Sequence, residues 1–273
     1  MQHSLDFSDA LAVACQAADH AKLLIQSHLA STRMAATLKP DGSPVTALDK
    51  KIELAIRADI RKAFPEHSIT GEEYPRENPN CDYEWLIDPI DGTVSLIHGI
   101  PTYATLIALC ERGLPIVSVV ELPGLGQRYT ATRGKGSWCG STRLSVSSEF
   151  DSNYSIVSHG DYHTFRMSGY GSLYDALARR IRFFRSYTDA FGHTLVARGA
   201  AALMVDAAME PWDLAAPMLL LQEAGGCVSL YRDQHNSRRF VGVCGNRDAA
   251  QQADEIAVSL GFNALPPGQV RLI

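Results

Sequence analysis

The sequence predicts an α+β chain of stacked helices and sheets, on three observations. Two stretches of helical periodicity open the chain, a run of strand-like segments follows, and helix and strand alternate after a polar segment at Ser147–Tyr154. An antiparallel sheet carrying two helices is therefore expected first, and an α/β lobe second. The polar segment places the division between lobes 1–147 and 148–273. With 273 residues, the chain is long enough for two lobes around a shared core.

From Ser8 to about Leu29, apolar residues recur at Leu11, Cys15, Ala18, Ala21, Ile25 and Leu29, the single buried stripe of an amphipathic helix. Lys39-Pro40-Asp41-Gly42-Ser43-Pro44 is dense in turn residues and reads as a loop. A second helix is expected from about Ala47 to Phe64, with Ile52, Ala55, Ile56, Ile60 and Ala63 on one face. Thr46 and Asp49 have capping-box spacing at its start. His67–Thr70 reads as a short strand, and Tyr103–Glu111 with Leu114–Leu122 as a hairpin around Arg112-Gly113. Gln127–Arg133 and Thr142–Val146 continue the antiparallel pattern, with Arg133-Gly134-Lys135-Gly136 as a turn. It lacks the frame of a phosphate loop.

In the second half, helices are expected near Ser172–Ile181, Ala190–Arg198, Asp213–Ala224 and Arg247–Leu260. Strands are expected at Arg182–Ser186, Ala202–Asp206, Cys227–Tyr231 and Phe240–Cys244. His193, beside Phe191 and Gly192, is expected to be a packed or hydrogen-bonded histidine.

Composition removes several functions. The net charge is −5 and the pI about 6.0, without the basic surplus of a nucleic-acid binder. The one basic cluster, Arg179-Arg180-Ile181-Arg182 with Arg185, reads as a solvated helix end. No apolar run approaches a membrane span, and the first residues lack the basic region of a signal. Six cysteines without a C-x-x-C pair fit reduced thiols, so a cytoplasmic protein is expected.

The chemistry centres on Trp85-Leu86-Ile87-Asp88-Pro89-Ile90-Asp91-Gly92-Thr93. Trp85–Ile87 reads as a buried strand delivering Asp88 to its end, and the Pro89 turn is expected to bring Asp91 back beside it. Two carboxylates held that close repel strongly unless a cation sits between them, and a hard divalent ion such as Mg²⁺ suits oxygen ligands. A plain polar turn is the competing reading. Glu72, in Gly71-Glu72-Glu73, alone reads as exposed, and Asp213, in Trp212-Asp213, alone reads as a helix cap.

Taken in order, Gly71-Glu72-Glu73, Asp88-Pro89-Ile90-Asp91-Gly92-Thr93 and Trp212-Asp213-Leu214-Ala215-Ala216 resemble the inositol monophosphatase superfamily of Mg²⁺-dependent phosphomonoesterases. The resemblance runs from Lys39 to Gly225-Gly226. It implies a layered αβαβα sandwich, with an antiparallel sheet in the first lobe, a mixed sheet in the second and the site between them. Glu72, Asp88, Asp91, Asp213 and the carbonyl of Ile90 are implied as ligands of two or three Mg²⁺. Thr93 and Asp49, with Glu72, are implied as the catalytic group around an attacking water. The N–H groups of Gly92 and Thr93 are implied as the phosphate cradle. Leu48, Val94 and Leu96 depart from the family pattern without touching a ligand. A homodimer is also implied.

Arg185-Ser186-Tyr187-Thr188-Asp189-Ala190-Phe191-Gly192 resembles the R-x-x-G-D-x-[YF]-G stretch of the histidinol-phosphatase branch, with Thr188 in place of the glycine. This points to histidinol phosphate as substrate, hence histidine biosynthesis, with Arg185, Asp189 and Asp206 on the substrate side. Acidic groups would suit its ammonium and imidazole. An inositol phosphate or other sugar phosphate is the alternative substrate. A catalytically silent metal- or phosphate-binding regulator is the alternative of another class, but a complete carboxylate set argues against it. Otherwise the plain reading stands, in which Asp189 caps a helix and Asp206 ends a strand.

Overall fold

The computed structural model describes residues 7–31, 36–38, 44–266 and 271–272. Of the expected loop, Lys39 to Ser43 lie outside the described residues. Helix α1 (Phe7–Ser31) is followed by a two-stranded ribbon, β1 (Thr37–Leu38) with β2 (Pro44–Val45), and by helix α2 (Ala47–Ala63). Then come β3 (Ser68–Gly71), β4 (Tyr83–Asp91), the short helix α3 (Thr93–Ile97), β5 (Ala104–Glu111), β6 (Leu114–Leu122), β7 (Gln127–Thr132), β8 (Gly136–Cys139) and β9 (Thr142–Arg143). These strands form one sheet in the order β3-β4-β5-β6-β7-β8-β9, antiparallel throughout except for the parallel pair β3–β4.

The second sheet is built from β10 (Ile156–His159), β11 (Phe183–Arg185), β12 (Leu203–Met209), β13 (Cys227–Arg232) and β14 (Phe240–Gly245). Their order is β11-β10-β12-β14-β13, with β10 parallel to both neighbours and the other pairs antiparallel. Its helices are α4 (Tyr162–Met167), α5 (Gly171–Arg180), α6 (Asp189–Ala197), α7 (Pro211–Glu223) and α8 (Arg247–Ser259).

Three apolar clusters join these elements into five layers, αβαβα. Ala14, Ala18, Ile25, Ile52, Ile56 and Ile60 of α1 and α2 pack on Trp85, Ile87, Ile107 and Val119, on one face of the first sheet. On its other face, Leu86, Leu106 and Val120 meet Leu195, Leu219 and Leu220 of α6 and α7, which also pack on Met204 and Cys244 of the second sheet. Helices α4, α5 and α8 cover the far side through Phe165, Leu173, Leu177 and Ala253. Helix α7 is buried along most of its length, as expected of a helix packed between two sheets. Among the described residues, no helix is long and apolar enough to cross a membrane.

The structure extends the sequence reading in several places. The expected strand Thr142–Val146 keeps only Thr142–Arg143 in the sheet, because the Val146 N–H turns away to the carbonyl of Ala224 at the end of α7. The Arg133–Gly136 turn does join β7 to β8, and the Glu223 carboxylate accepts from the N–H groups of Gly134 and Gly136 at 2.7 and 2.8 Å. Strand β4 runs through Pro89 to Asp91, without the turn expected at Pro89. Proline fits there because the ladder slips: Asp88 faces Leu106 and Asp91 faces Ala104. Three steps on β4 thus match two on β5, which is a bulge.

Candidate active site

That bulge is what brings the two aspartates together. In a regular strand, residues three apart point to opposite faces; the extra residue restores the parity, so Asp88 and Asp91 share one face. Both are buried. Asp88 Oδ1 accepts from the N–H of Ile90 at 2.9 Å, which ties the side chain to the bulge. Asp91 Oδ2 reaches across the layers to accept from the N–H of Ala190 at 2.7 Å.

Glu72 and Asp213 complete the group from two other elements. Glu72 follows β3, and its N–H donates to the carbonyl of Ile87, the residue before Asp88. Asp213 lies in the first turn of α7 but is not the cap expected of it. Glu210 is the N-cap, Pro211 begins the helix, and Asp213 Oδ2 accepts from the Glu210 N–H at 2.8 Å. One oxygen of Asp213 is thereby occupied. The Glu210 carboxylate in turn takes the Arg239 Nε at 2.8 Å.

The electrostatics show that these carboxylates crowd one another. Burial pushes the Asp88 carboxyl well above the usual range, and the charges of Glu72, Asp91 and Asp213 push it further. Asp91 is raised by burial, then by Asp189 and Asp213, and Asp213 by burial, then by Glu72. Such mutual repulsion marks a site short of positive charge. Among the described residues no three His, Cys, Asp or Glu side chains stand as a finished metal cage. The donor chemistry nevertheless fits a hard divalent cation: all four groups are carboxylates, and their charges would be offset by an ion between them.

Thr93 and Asp49 meet on the same side. Gly92 adopts φ +77°, a left-handed conformation that suits glycine, and this turns the chain from β4 into α3. The Thr93 hydroxyl lies 3.0 Å from the carbonyl of Ile90 and 3.4 Å from Asp49 Oδ1. The other oxygen of Asp49 closes the expected capping box, accepting from the Thr46 N–H at 2.8 Å. Asp49 therefore caps α2 with one oxygen and faces Thr93 with the other.

Asp189 and Asp206 form a second acidic centre beside the first. Asp189 does not cap α6: Thr188 holds that position, and Asp189 is the first helical residue. Its φ of +59° is strained for a residue with a side chain, the kind of outlier found at functional sites. A side chain on Gly92 would stand 3.0 Å from Asp189 Oδ2, so this carboxylate borders the β4–α3 turn. Burial, then the charge of Asp206, pushes the Asp189 carboxyl up to about 6, while the Thr188 hydroxyl and His193 oppose the rise. Asp206 does not end its strand, since β12 continues to Met209. Gly160 leaves room for it, as a Cβ there would meet Asp206 Oδ1 at 2.1 Å. His193 is packed, as expected, with Nε2 3.8 Å from Asp206 Oδ2. Arg185 is exposed at the end of β11, beside the Phe183 ring and the Phe184 carbonyl, away from any hydrogen bond or ion pair to these carboxylates among the described residues.

Two further residues of α2 bear on the site and were not among those expected from the sequence. Glu53 and Arg57 are fully buried and bond to the loop that carries Glu72. Their signal was present, as two charges on the same helical face as Ile52 and Ile56.

The inositol monophosphatase family model matches residues 6–260. A histidinol-phosphatase of Chlorobaculum parvum is 34% identical over 226 residues, covering 83% of this chain and 87% of that protein. The Nus factor SuhB of Escherichia coli is also 34% identical, over 83% of this chain and 86% of its own length. Among solved structures, an inositol monophosphatase from Anabaena superposes with a TM-score of 0.79 at 26% identity, covering 96% of this chain and 98% of that one.

Proposed function

Because this chain belongs to the inositol monophosphatase family and is a phosphatase, we propose that it is a Mg²⁺-dependent phosphomonoesterase acting on histidinol phosphate. Glu72, Asp88, Asp91, Asp213 and the carbonyl of Ile90 would hold the ions. Mg²⁺ bound there would lower the pKa of a water and offset charge on the phosphate and the leaving oxygen. The chain's own groups do the rest. With the Ile90 carbonyl turned to an ion, the Thr93 hydroxyl would donate to Asp49 and orient the water for in-line attack. The N–H groups of Gly92 and Thr93, where the bulge opens into α3, hold the phosphate oxygens.

One observation carries the substrate. The second acidic centre, Asp189 with Asp206, borders the Gly92 turn that would hold the phosphate, within reach of a leaving group bound there. Histidinol carries an ammonium and an imidazole, and charge-assisted hydrogen bonds to two carboxylates suit both. A neutral inositol ring gains less from them. The relatives named histidinol-phosphatase support this reading, and the equally similar SuhB does not favour it. Six free thiols fit a reducing compartment such as the cytoplasm.

The test is a panel of histidinol phosphate, inositol 1-phosphate and an uncharged aryl phosphate, assayed for phosphate release with and without Mg²⁺. The expected result is release only with the metal, with kcat/KM highest for histidinol phosphate. A preference for inositol 1-phosphate would remove the histidinol assignment and leave the phosphatase. No release from any of them would favour a silent binding protein.

A further inference from the structure

We propose that Glu53 and Arg57 are positioning residues, a buried clamp that sets the Glu72 loop at the depth at which Glu72 and Asp88 share a cation. The proposal rests on the reading of Glu72 and Asp88 as ligands. Its geometry starts from α2, where Asp49, Glu53 and Arg57 follow one another at intervals of four residues and so lie in one row. All three are buried, Glu53 and Arg57 completely.

The bonds of the clamp are concentrated on one segment. Glu53 accepts from the N–H of Glu73 at 2.7 Å, from the N–H of Tyr74 at 3.2 Å and from Arg57 Nε at 2.8 Å. Arg57 also bonds the Tyr74 carbonyl at 3.0 Å and the Glu77 carboxylate at 2.8 Å. Apart from their mutual bond, these contacts all fall on residues 73–77, directly after Glu72. From the other side, the Glu72 N–H is held by the carbonyl of Ile87. Glu72 is thus fixed between the strand that delivers Asp88 and the helix that delivers Asp49. Gly71 belongs to the same device: a Cβ there would meet Glu53 Oε1 at 2.3 Å, so only glycine lets the carboxylate pass beneath the backbone.

Packing alone does not call for this pair. Apolar residues of similar volume commonly replace a buried ion pair without loss of stability, whereas a pair that meets a chain of loop N–H and C=O groups fixes where that loop lies. The clamp therefore acts on metal affinity through Glu72, and touches neither substrate nor metal.

Two variants test it, Glu53→Gln and the double replacement Glu53→Met with Arg57→Met, each read by thermal melting, by Mn²⁺ binding in calorimetry and by the Mg²⁺ midpoint of phosphate release. The double variant removes the charges together, so folding is expected to survive, and Glu53→Gln decides the matter if it does not. The expected result is Mn²⁺ affinity weakened by roughly tenfold or more, a Mg²⁺ midpoint raised by a similar factor, and a much smaller fall in kcat at saturating metal. Gly71→Ala should shift both in the same direction. A folded variant that binds Mn²⁺ with wild-type affinity would overturn the clamp. Asp91→Asn serves as the control: unchanged Mn²⁺ affinity there would overturn the ligand reading itself, and the clamp with it.

Discussion

Asp49 shows how one side chain serves two purposes that sequence spacing alone sets in competition. Its Oδ2 is committed to the Thr46 N–H and hydroxyl, and its Oδ1 faces the Thr93 hydroxyl. Asp49→Asn keeps an oxygen for only one of these roles. The expected cost in stability is at most about 1 kcal/mol, the usual worth of a cap. Turnover should fall by roughly a hundredfold or more, as for other positioned acid–base groups. A lowered Tm with an unchanged kcat would leave only the cap. Asp189 offers a test by pH. Its carboxyl is raised to about 6, so the charged form that would pair with a substrate ammonium prevails only above that pH. On histidinol phosphate, wild type should exceed Asp189→Asn in kcat/KM by roughly 10- to 100-fold at pH 8, the worth of one charge-assisted hydrogen bond. The advantage should shrink as pH falls through about 6. Taking the ratio at each pH cancels only those titrations that affect both proteins alike. A ratio that does not change with pH would remove Asp189 from the substrate contacts.

At the scale of elements, what could be read from sequence followed periodicity. Helices α1, α2, α7 and α8 fall within a few residues of the bounds that their apolar spacing predicts, and so do β5 and β6, which are long and bounded by clear turn residues. Several short elements escaped it, although the short strands β3 and β11 fall within a residue of their expected bounds. Strand β10 has four residues behind a polar segment, α4 has six, and β8 follows directly on a glycine turn. None carries enough residues to display a period. The Pro89 bulge was illegible for another reason. Pro-x-Asp-Gly in sequence looks like a turn, and only the pairing partner β5 shows that the strand continues. The carboxylates of the candidate site were readable because Asp-Pro-Ile-Asp-Gly-Thr is a dense local motif. Glu53 and Arg57 were not, since their partners lie about twenty residues away on a loop. A charge on an apolar helical face gains meaning only when the opposing surface is known.

For the whole molecule, the crowded carboxylates are expected to make stability depend on metal and pH together. Asp88, Asp91 and Asp213 come from two elements that pack in different layers, and folding forces them together. Each has a folded-state pKa raised above its unfolded value of about 4. A group of that kind leaves stability intact below the unfolded pKa and costs stability as pH rises through the folded one. Metal-free protein should therefore lose thermal stability, through these groups, between about pH 4 and neutrality. Asp91→Asn removes one of the charges while its amide oxygen still accepts from the Ala190 N–H, so metal-free Asp91→Asn should melt above wild type at pH 7.5 and level with it near pH 4. Mg²⁺ acts in the opposite sense to that pH effect. At a hundred times its Kd, an ion that binds only the folded state adds about 2.7 kcal/mol. For a chain of this size that corresponds to about 5–10 °C in Tm. The rise should be large in wild type at pH 7.5, small at pH 5 where protons compete for the same oxygens, and small in Asp91→Asn at either pH. Differential scanning fluorimetry of the chelator-treated protein, with and without added Mg²⁺, measures all of these. A wild-type Tm indifferent to Mg²⁺ at pH 7.5 would mean that these carboxylates meet without a cation to hold.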